Sequence, residues 1–187
     1  LTQGFQHEDA LFRDERRTLP HCRTAHERAR DYARRAHADG KPFFVFVNDF
    51  EPHLAYEPPD DVAARFLRTE PPPPVLAAAR AWEGAAALLE TVGYRTTPPE
   101  VLAVLPDLYD AEIAALDAEV GAFVEGLRED GLLGDTLLVV TSDHGENLGE
   151  GGLWAHRFSL HRRIRRVPLV VRWPDGHAAG TVAPELV

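Results

Sequence analysis

An aspartate and a histidine stand side by side at Asp143 and His144, directly after the unbroken apolar and β-branched run 137–141. Such a run is typical of a strand that is buried on both faces. Ligands of open α/β sheets bind in the crevice outside the carboxyl ends of the strands. A carboxylate and an imidazole both suit a divalent metal, and Gly145 lets the backbone turn away at once. Taken alone, the three residues fit a structural turn better than a metal site, because Asp143 could bond backbone amides.

Polar side chains also follow the run 43–48, FFVFVN, which has the composition of another buried strand. They include Asp49, Glu51 and His53, in a loop where the prolines at 52, 58 and 59 prevent regular structure. Further along, the glycines at 145, 149, 151 and 152 favour a loop over the site, and His156 follows that loop. A single loop histidine is by itself more often structural than functional, so these residues become candidates only in combination.

The combination resembles the second half of the sulfatase family, within the alkaline-phosphatase-like superfamily. Three blocks carry the resemblance in the family's order: PFFVFVNDFEPHLAYEPP, YDAEIAALDAEVGAFVEGLREDGLLGDT, and TSDHGENLGEGGLW followed by RVPLVVRWPDG. They cover about two thirds of the chain, while its ends and the segment 69–107 match weakly. The resemblance implies a metal-dependent sulfuric ester hydrolase that cleaves sulfate monoesters of small molecules.

The resemblance also implies roles for five residues. Asp143 and His144 would be metal ligands, for Ca²⁺ first and for Mn²⁺, Mg²⁺ or Zn²⁺ as alternatives. His53 would contact the sulfuryl oxygens from a loop that ends in Tyr56, although Ala55 stands where the family usually has proline. His156 lies where many members have lysine or histidine, and it would contact the sulfuryl group or protonate the leaving oxygen. His53, His156 and Tyr56 are thus the expected substrate-binding residues, and the two histidines the expected catalytic ones.

The expected nucleophile of the family is absent from the sequence. Sulfatases use a formylglycine made from the Cys or Ser of a C/S-x-P-x-R motif. Here Cys22 is followed by Arg-Thr-Ala-His, and neither Ser142 nor Ser159 has a proline two residues on. The pair Asp60-Asp61 is similar to the paired acidic metal ligands of the family. Because two prolines come directly before it, we predict that it lies in the first turn of a helix and do not assign it to metal. The chain also contains no methionine, so we expect a piece of a longer protein that is inactive by itself.

We expect residues 1–187 to form one partial sulfatase-like catalytic domain of the α/β class. Its predicted architecture is a three-layer α/β/α arrangement with a mostly parallel central sheet, in which 43–48, 136–142 and 167–173 are neighbouring central strands. Helices are predicted over 24–40 and 106–130 from capping signals and apolar spacing. Glu112 and Asp117 lie off the apolar stripe of the second helix, which predicts solvated or capping groups.

Composition narrows the choice of partners. The formal net charge of −10 makes the surface a poor partner for nucleic acid or an anionic membrane. The apolar runs are far shorter than the roughly 20 residues that a membrane span needs. One cysteine allows no intrachain disulfide, which is compatible with a reducing compartment such as the cytoplasm and does not establish one. The basic run 161–166, HRRIRR, has two interpretations: a nucleic-acid patch, or a solvated rim or intersubunit contact, of which we favour the second.

Three functions remain open at this point. The first is the sulfate monoester hydrolase, and the second is a phosphate or phosphonate ester hydrolase on the same scaffold, with Thr or Ser as nucleophile. The third is a non-catalytic remnant or interaction domain. The joint presence of His53, Asp143, His144 and His156 argues against a remnant, although Gly151 stands where many relatives have a second histidine.

Overall fold

The computed structural model describes residues 5, 7–9 and 22–183, so most of the polar N-terminal segment 1–22 lies outside it. Helices dominate the described residues: α1 (Cys22–Ala38), α2 (Asp60–Phe66), α3 (Pro73–Arg80), α4 (Gly84–Thr91), α5 (Pro99–Leu102), α6 (Leu105–Glu129) and α7 (Arg162–Arg165). Four short strands accompany them: β1 (Leu138–Thr141), β2 (Asn147–Leu148), β3 (Trp154–Ala155) and β4 (Leu169–Arg172). Short 3₁₀ turns lie at Leu133–Asp135 and Glu150–Gly152.

The long helix α6 organises the packing, and its bounds agree closely with the prediction. Pro106 lies in its first turn, where its missing N–H costs nothing, and Gly131 follows its end with φ of +72°. Its first half packs Leu105 and Leu108 into the main core, where both are fully buried with Tyr56 and Trp82. Burying one such side chain contributes about 1.5–3 kcal/mol. This core therefore fixes α6 against α2–α5 and against the loop that follows residue 53.

Helix α1 packs on the other half of α6. It begins at Cys22, two residues before the predicted cap at Thr24, and Gly40 follows its end with φ of +67°. Arg30 donates from Nε and Nη2 to the two carboxylate oxygens of Asp130, at 2.5 and 3.0 Å, which ties α1 to the end of α6. A bidentate pair of this kind is geometrically specific.

The prediction of a mostly parallel central sheet is not confirmed. β1 and β4 are neighbours, as predicted for the segments 136–142 and 167–173, but they pair antiparallel, with Val139 opposite Val171. They are also not buried on both faces, since Val139 is 49% and Val170 61% exposed. The apolar composition was interpreted as double burial, whereas within the described residues no layer covers these two strands.

The segment 43–48 forms no strand, so the prediction of a third central strand is wrong for the described part of the chain. It is extended, and alternate side chains point outward, with Phe44 73% and Phe46 67% exposed. β propensity alone gives an extended chain, but a strand needs a hydrogen-bonded neighbour, and no described segment supplies one here.

The hairpin β2–β3 carries the chain back toward the core after the Asp143-His144 turn. Asn147 pairs with Ala155 and Leu148 with Trp154, across a glycine loop in which Gly149 has φ of +104°. Trp154 packs edge-on against Trp82 with ring centroids 5.2 Å apart, and its amide donates to the hydroxyl of Thr91 at 3.0 Å. β3 is thereby anchored in the core immediately before His156.

Candidate functional site

Three histidine rings from distant parts of the sequence meet at one place. The rings of His144 and His156 stack with centroids 4.0 Å apart, and His53 meets His156 edge-on at 5.4 Å. His53 comes from the loop before α2, His144 from the turn after β1, and His156 from the end of β3. The structure therefore brings together the histidines that the sequence singled out, while their chemical roles stay predictions.

Each of the three rings is oriented through its Nδ1 atom. His53 donates from Nδ1 to the carbonyl of Leu54 at 2.7 Å, and His144 donates to the carbonyl of Gly145 at 2.9 Å. His156 donates from Nδ1 to Glu146 Oε1 at 3.3 Å. With Nδ1 engaged, each ring has Nε2 left for a ligand: as a lone pair when the ring is neutral, and as a proton donor when it is charged.

The Asp143–His144 pair fits part of a metal shell. His144 Nε2 lies 3.8 Å from Asp143 Oδ1, and two ligands at about 2.1–2.5 Å from one ion can be separated by up to about 4.6 Å. The bond from His144 Nδ1 to a backbone carbonyl is the outer contact that metal-binding histidines use. The Asp143 side chain is 84% exposed. Within residues 22–183 no group of three or more potential ligands is placed to hold a metal ion, so this pair accounts for only part of a site.

A buried carboxylate, Glu146, lies beneath the histidines and was not predicted. It is 8% exposed and accepts from His156 on one oxygen and from the Tyr56 hydroxyl, at 3.4 Å, on the other. Burial raises the pKa of Glu146 to about 7, against the lowering effect of His144. Burial, followed by the neighbouring His144 and His53, lowers the pKa of His156. Tyr56, predicted to bind substrate, is 1% exposed, and its hydroxyl supports this carboxylate.

A second buried carboxylate, Glu112, corrects the prediction that this position on α6 is solvated. It is 5% exposed and accepts from the amides of His53, at 3.1 Å, and Glu57, at 2.7 Å. The spacing of apolar residues placed it off the apolar stripe, but the loop before α2 covers that side of the helix. Asp117 on the same helix is exposed, as predicted.

Gly145 lets α7 pack directly against the Asp143-His144 turn. The amide of Gly145 donates to the carbonyl of Ile164 at 2.8 Å, and a Cβ at Gly145 would overlap the carbonyl oxygen of Arg163. Both contacts are with backbone, which cannot rotate away. The glycine is therefore required because α7 approaches the turn closely, whereas the sequence analysis explained it by a sharp turn of the backbone.

Gly145→Ala should therefore destabilise the turn, by about 1–3 kcal/mol if the site relaxes as overpacked sites do. The measurement is the free energy of unfolding in urea. Gly121→Ala on α6 is the matched control, because nothing lies within 4 Å of a Cβ there and alanine favours a helix. Equal stability of the Gly145→Ala variant and the parent chain would show that α7 does not pack against the turn.

The remaining predicted features also have definite places. Asp60 and Asp61 lie in the first turn of α2, as predicted, and Asp60 accepts from Arg80 at 2.8 Å. The basic run 161–166 includes α7 and is exposed apart from Ile164. Arg163 pairs with Glu150 of the glycine loop at 2.9 Å. None of the described helices is long and apolar enough to span a bilayer.

Comparison with known proteins finds relatives over most of the chain. The family model described as Sulfatase matches residues 4–186. Iduronate 2-sulfatase of Homo sapiens is 29% identical over 179 residues, which cover 87% of this chain and 32% of that protein. Choline-sulfatase of Rhizobium meliloti is 41% identical over 66 residues, covering 35% of this chain and 13% of that protein. N-acetylglucosamine-6-O-sulfatase of Bacteroides thetaiotaomicron is 36% identical over 75 residues, covering 40% and 13%.

The chain thus spans no more than about a third of the length of these curated relatives. The family match nevertheless covers nearly all of the chain and contains the three histidines that meet in the structure. Membership implies the alkaline-phosphatase-like α/β fold. This chain belongs to the sulfatase family.

Proposed function

We propose that this chain is part of the catalytic domain of a metal-dependent sulfuric ester hydrolase that cleaves sulfate monoesters. The observation that carries the proposal is the meeting of His53, His144 and His156 at 4.0 and 5.4 Å, in a chain of the sulfatase family. Two imidazoles that can donate from Nε2, beside a third that can hold a cation, suit an anionic ester group better than a neutral or cationic one.

In this proposal each residue of the candidate site has a defined role. His53 and His156, when charged, donate from Nε2 to the oxygens of the ester group, and His156 gives its proton to the leaving oxygen. Glu146 holds the His156 ring through Nδ1, and Tyr56 holds Glu146. Asp143 and His144 would hold a divalent cation, Ca²⁺ or alternatively Mn²⁺, Mg²⁺ or Zn²⁺, which offsets negative charge on the ester group.

The nucleophile has to come from another segment, which we expect to carry a formylglycine. Cys22 is buried, and burial together with Glu51 and Asp49 raises the pKa of its thiol to about 12. The Ser142 hydroxyl donates to the carbonyl of His144, and Ser159 accepts from the amide of His161. We call this chain, joined by the segment that supplies the nucleophile and the remaining metal ligands, the complete enzyme, and we expect the chain by itself to be inactive.

The test compares a sulfate and a phosphate monoester of the same alcohol. With 4-nitrophenyl sulfate and 4-nitrophenyl phosphate, the complete enzyme should show a higher kcat/KM for the sulfate by at least about a hundredfold, since discrimination of about 3 kcal/mol is within reach of a polar site. A preference for the phosphate would favour the phosphate or phosphonate hydrolase instead. Hydrolysis of neither ester, nor of a panel of saccharide sulfates, would favour the non-catalytic domain.

A further inference from the structure

The buried carboxylate of Glu112 reaches from α6 into the loop that carries His53. Its two oxygens accept from two backbone amides four residues apart, Oε2 from His53 at 3.1 Å and Oε1 from Glu57 at 2.7 Å. A rigid group thus bridges both ends of the segment 53–57. We propose that Glu112 is the positioning residue for His53, so that α6, and not the loop itself, sets where this imidazole lies in the histidine cluster.

Other contacts fix the middle of the segment but not His53. Leu54 and Tyr56 are buried in the main core, and the Tyr56 hydroxyl donates to Glu146. The His53 side chain is only half-buried, and its Nδ1 bonds the carbonyl of Leu54 within the same loop. A hydrogen bond inside the loop moves with the loop. Apart from the edge-on ring contact with His156, the contact that ties His53 to another element is the hydrogen bond from its backbone amide to Glu112.

Burial of the Glu112 carboxylate is unfavourable for the free energy of folding. No basic side chain among the described residues pairs with it, and Glu51 and Glu57 add repulsion. Burying a carboxylate without a cation is unfavourable, and among the described residues the two hydrogen bonds from backbone amides offset that cost. The net effect is that burial raises the pKa of Glu112 to about 7 despite those bonds. An apolar residue would avoid burying a charge, but it would leave the amides of His53 and Glu57 without this acceptor, so the carboxylate is suited to holding the loop.

The first test is amide hydrogen exchange in the chain as it stands, which needs no catalytic activity. Glu112→Gln keeps the shape but turns an NH₂ group toward one of the two amides. We expect the His53 or Glu57 amide to exchange at least about tenfold faster, measured against core amides of α6 such as Leu127, because its hydrogen bond to the side chain at position 112 is lost. Asp117→Asn, which removes the same charge from an exposed position of the same helix, should change neither amide.

Unchanged protection of both amides in Glu112→Gln would overturn the proposal. If that variant does not fold, hydrogen exchange in the unmodified chain still tests the proposal. A His53 amide that exchanges at the rate of an unstructured peptide contradicts its hydrogen bond to Glu112. A protected His53 amide supports that bond.

The second test is a double-mutant cycle in the complete enzyme, and it rests on the proposed function. Glu112→Gln should lower kcat/KM by about 10–100-fold, as small displacements of catalytic groups do. In a His53→Ala background the same substitution should lower kcat/KM by less than about twofold, since no imidazole is left to position. Equal losses in both backgrounds would show a merely structural role. If the unmodified enzyme hydrolyses no sulfate ester, the proposed function fails, and hydrogen exchange alone decides the role of Glu112.

Discussion

Asp143→Ala should abolish tight divalent-metal binding by the complete enzyme and lower kcat/KM for sulfate esters by at least about a thousandfold. Asp143 Oδ1 lies 3.8 Å from His144 Nε2, so the two atoms can share one ion. Removal of the carboxylate leaves one ligand of the pair, and a metal at a hydrolytic site is worth several kcal/mol, with each 1.36 kcal/mol equal to a factor of ten. The measurements are metal content by elemental analysis and steady-state kinetics.

Asp175→Ala provides the matched control for this substitution. Asp175 is also an exposed aspartate beside a histidine, with Oδ1 2.7 Å from His177 Nδ1, but it lies in the turn after β4, outside the histidine cluster. Its removal should leave metal content and kcat/KM unchanged. An Asp143→Ala enzyme that retains stoichiometric metal would remove Asp143 from the metal site.

His156→Ala should lower kcat/KM by about 10²–10⁴-fold, the range expected for the loss of one general acid. The imidazole stacks on His144 and meets His53 edge-on, so in the proposed function it lies beside the same ester group. His156→Lys should recover part of the lost activity, because an ammonium group also donates protons to an anionic ester. A loss confined to KM would instead indicate ground-state binding alone.

His177→Ala is the control for the histidine substitution, because His177 is an imidazole bonded to a carboxylate but exposed on a surface turn. It should change kcat/KM by less than about twofold, as is usual for surface substitutions away from a site. Equal effects of His156→Ala and His177→Ala would show that the cluster is not the reaction site.

The sequence was most informative where residue type and local pattern decide the outcome. α6 and its end at Gly131 follow from apolar spacing and capping signals, and both are confirmed. Asp60 and Asp61 were correctly assigned to the first turn of a helix, because the two prolines before them favour a helix start. His53, His144 and His156 were selected through a family resemblance, and the structure brings their rings into contact.

The two buried carboxylates were missed because their partners are distant in sequence. Glu112 accepts from amides 55 and 59 residues away, and Glu146 accepts from Tyr56, 90 residues away. Nothing in the local pattern of α6 or of the glycine loop distinguishes them from solvated glutamates. The sheet was mispredicted for a related reason: apolar runs predict extended chain, but strand direction and burial depend on neighbours that composition does not specify.

The buried Glu112 also has a consequence for stability in the metal-free chain. The pKa of Glu112 in the folded chain is about 7, above the ordinary value of 4.5. This side chain therefore contributes stability to the folded state below about pH 4.5, and that stability is lost as the pH rises to about 7. The free energy of unfolding should therefore fall across this window, by up to about 1.4 kcal/mol per pH unit from this group. In Glu112→Gln the fall should be shallower, while Asp117→Asn should keep the slope of the parent chain. Equal slopes in all three would contradict the raised pKa.

The most direct measurement of the central claim is a titration of the complete enzyme, with ¹⁵N-labelled histidine, by a non-hydrolysable sulfamate analogue of a substrate ester. The account predicts that the Nε2 resonances of His53 and His156 shift on binding, because these atoms donate to the anionic group. The exposed His37 and His177 serve as internal references and should not shift. Saturable binding of the analogue, or turnover of the corresponding sulfate ester, with no change at His53 and His156 would contradict the assignment of this cluster as the sulfate ester site.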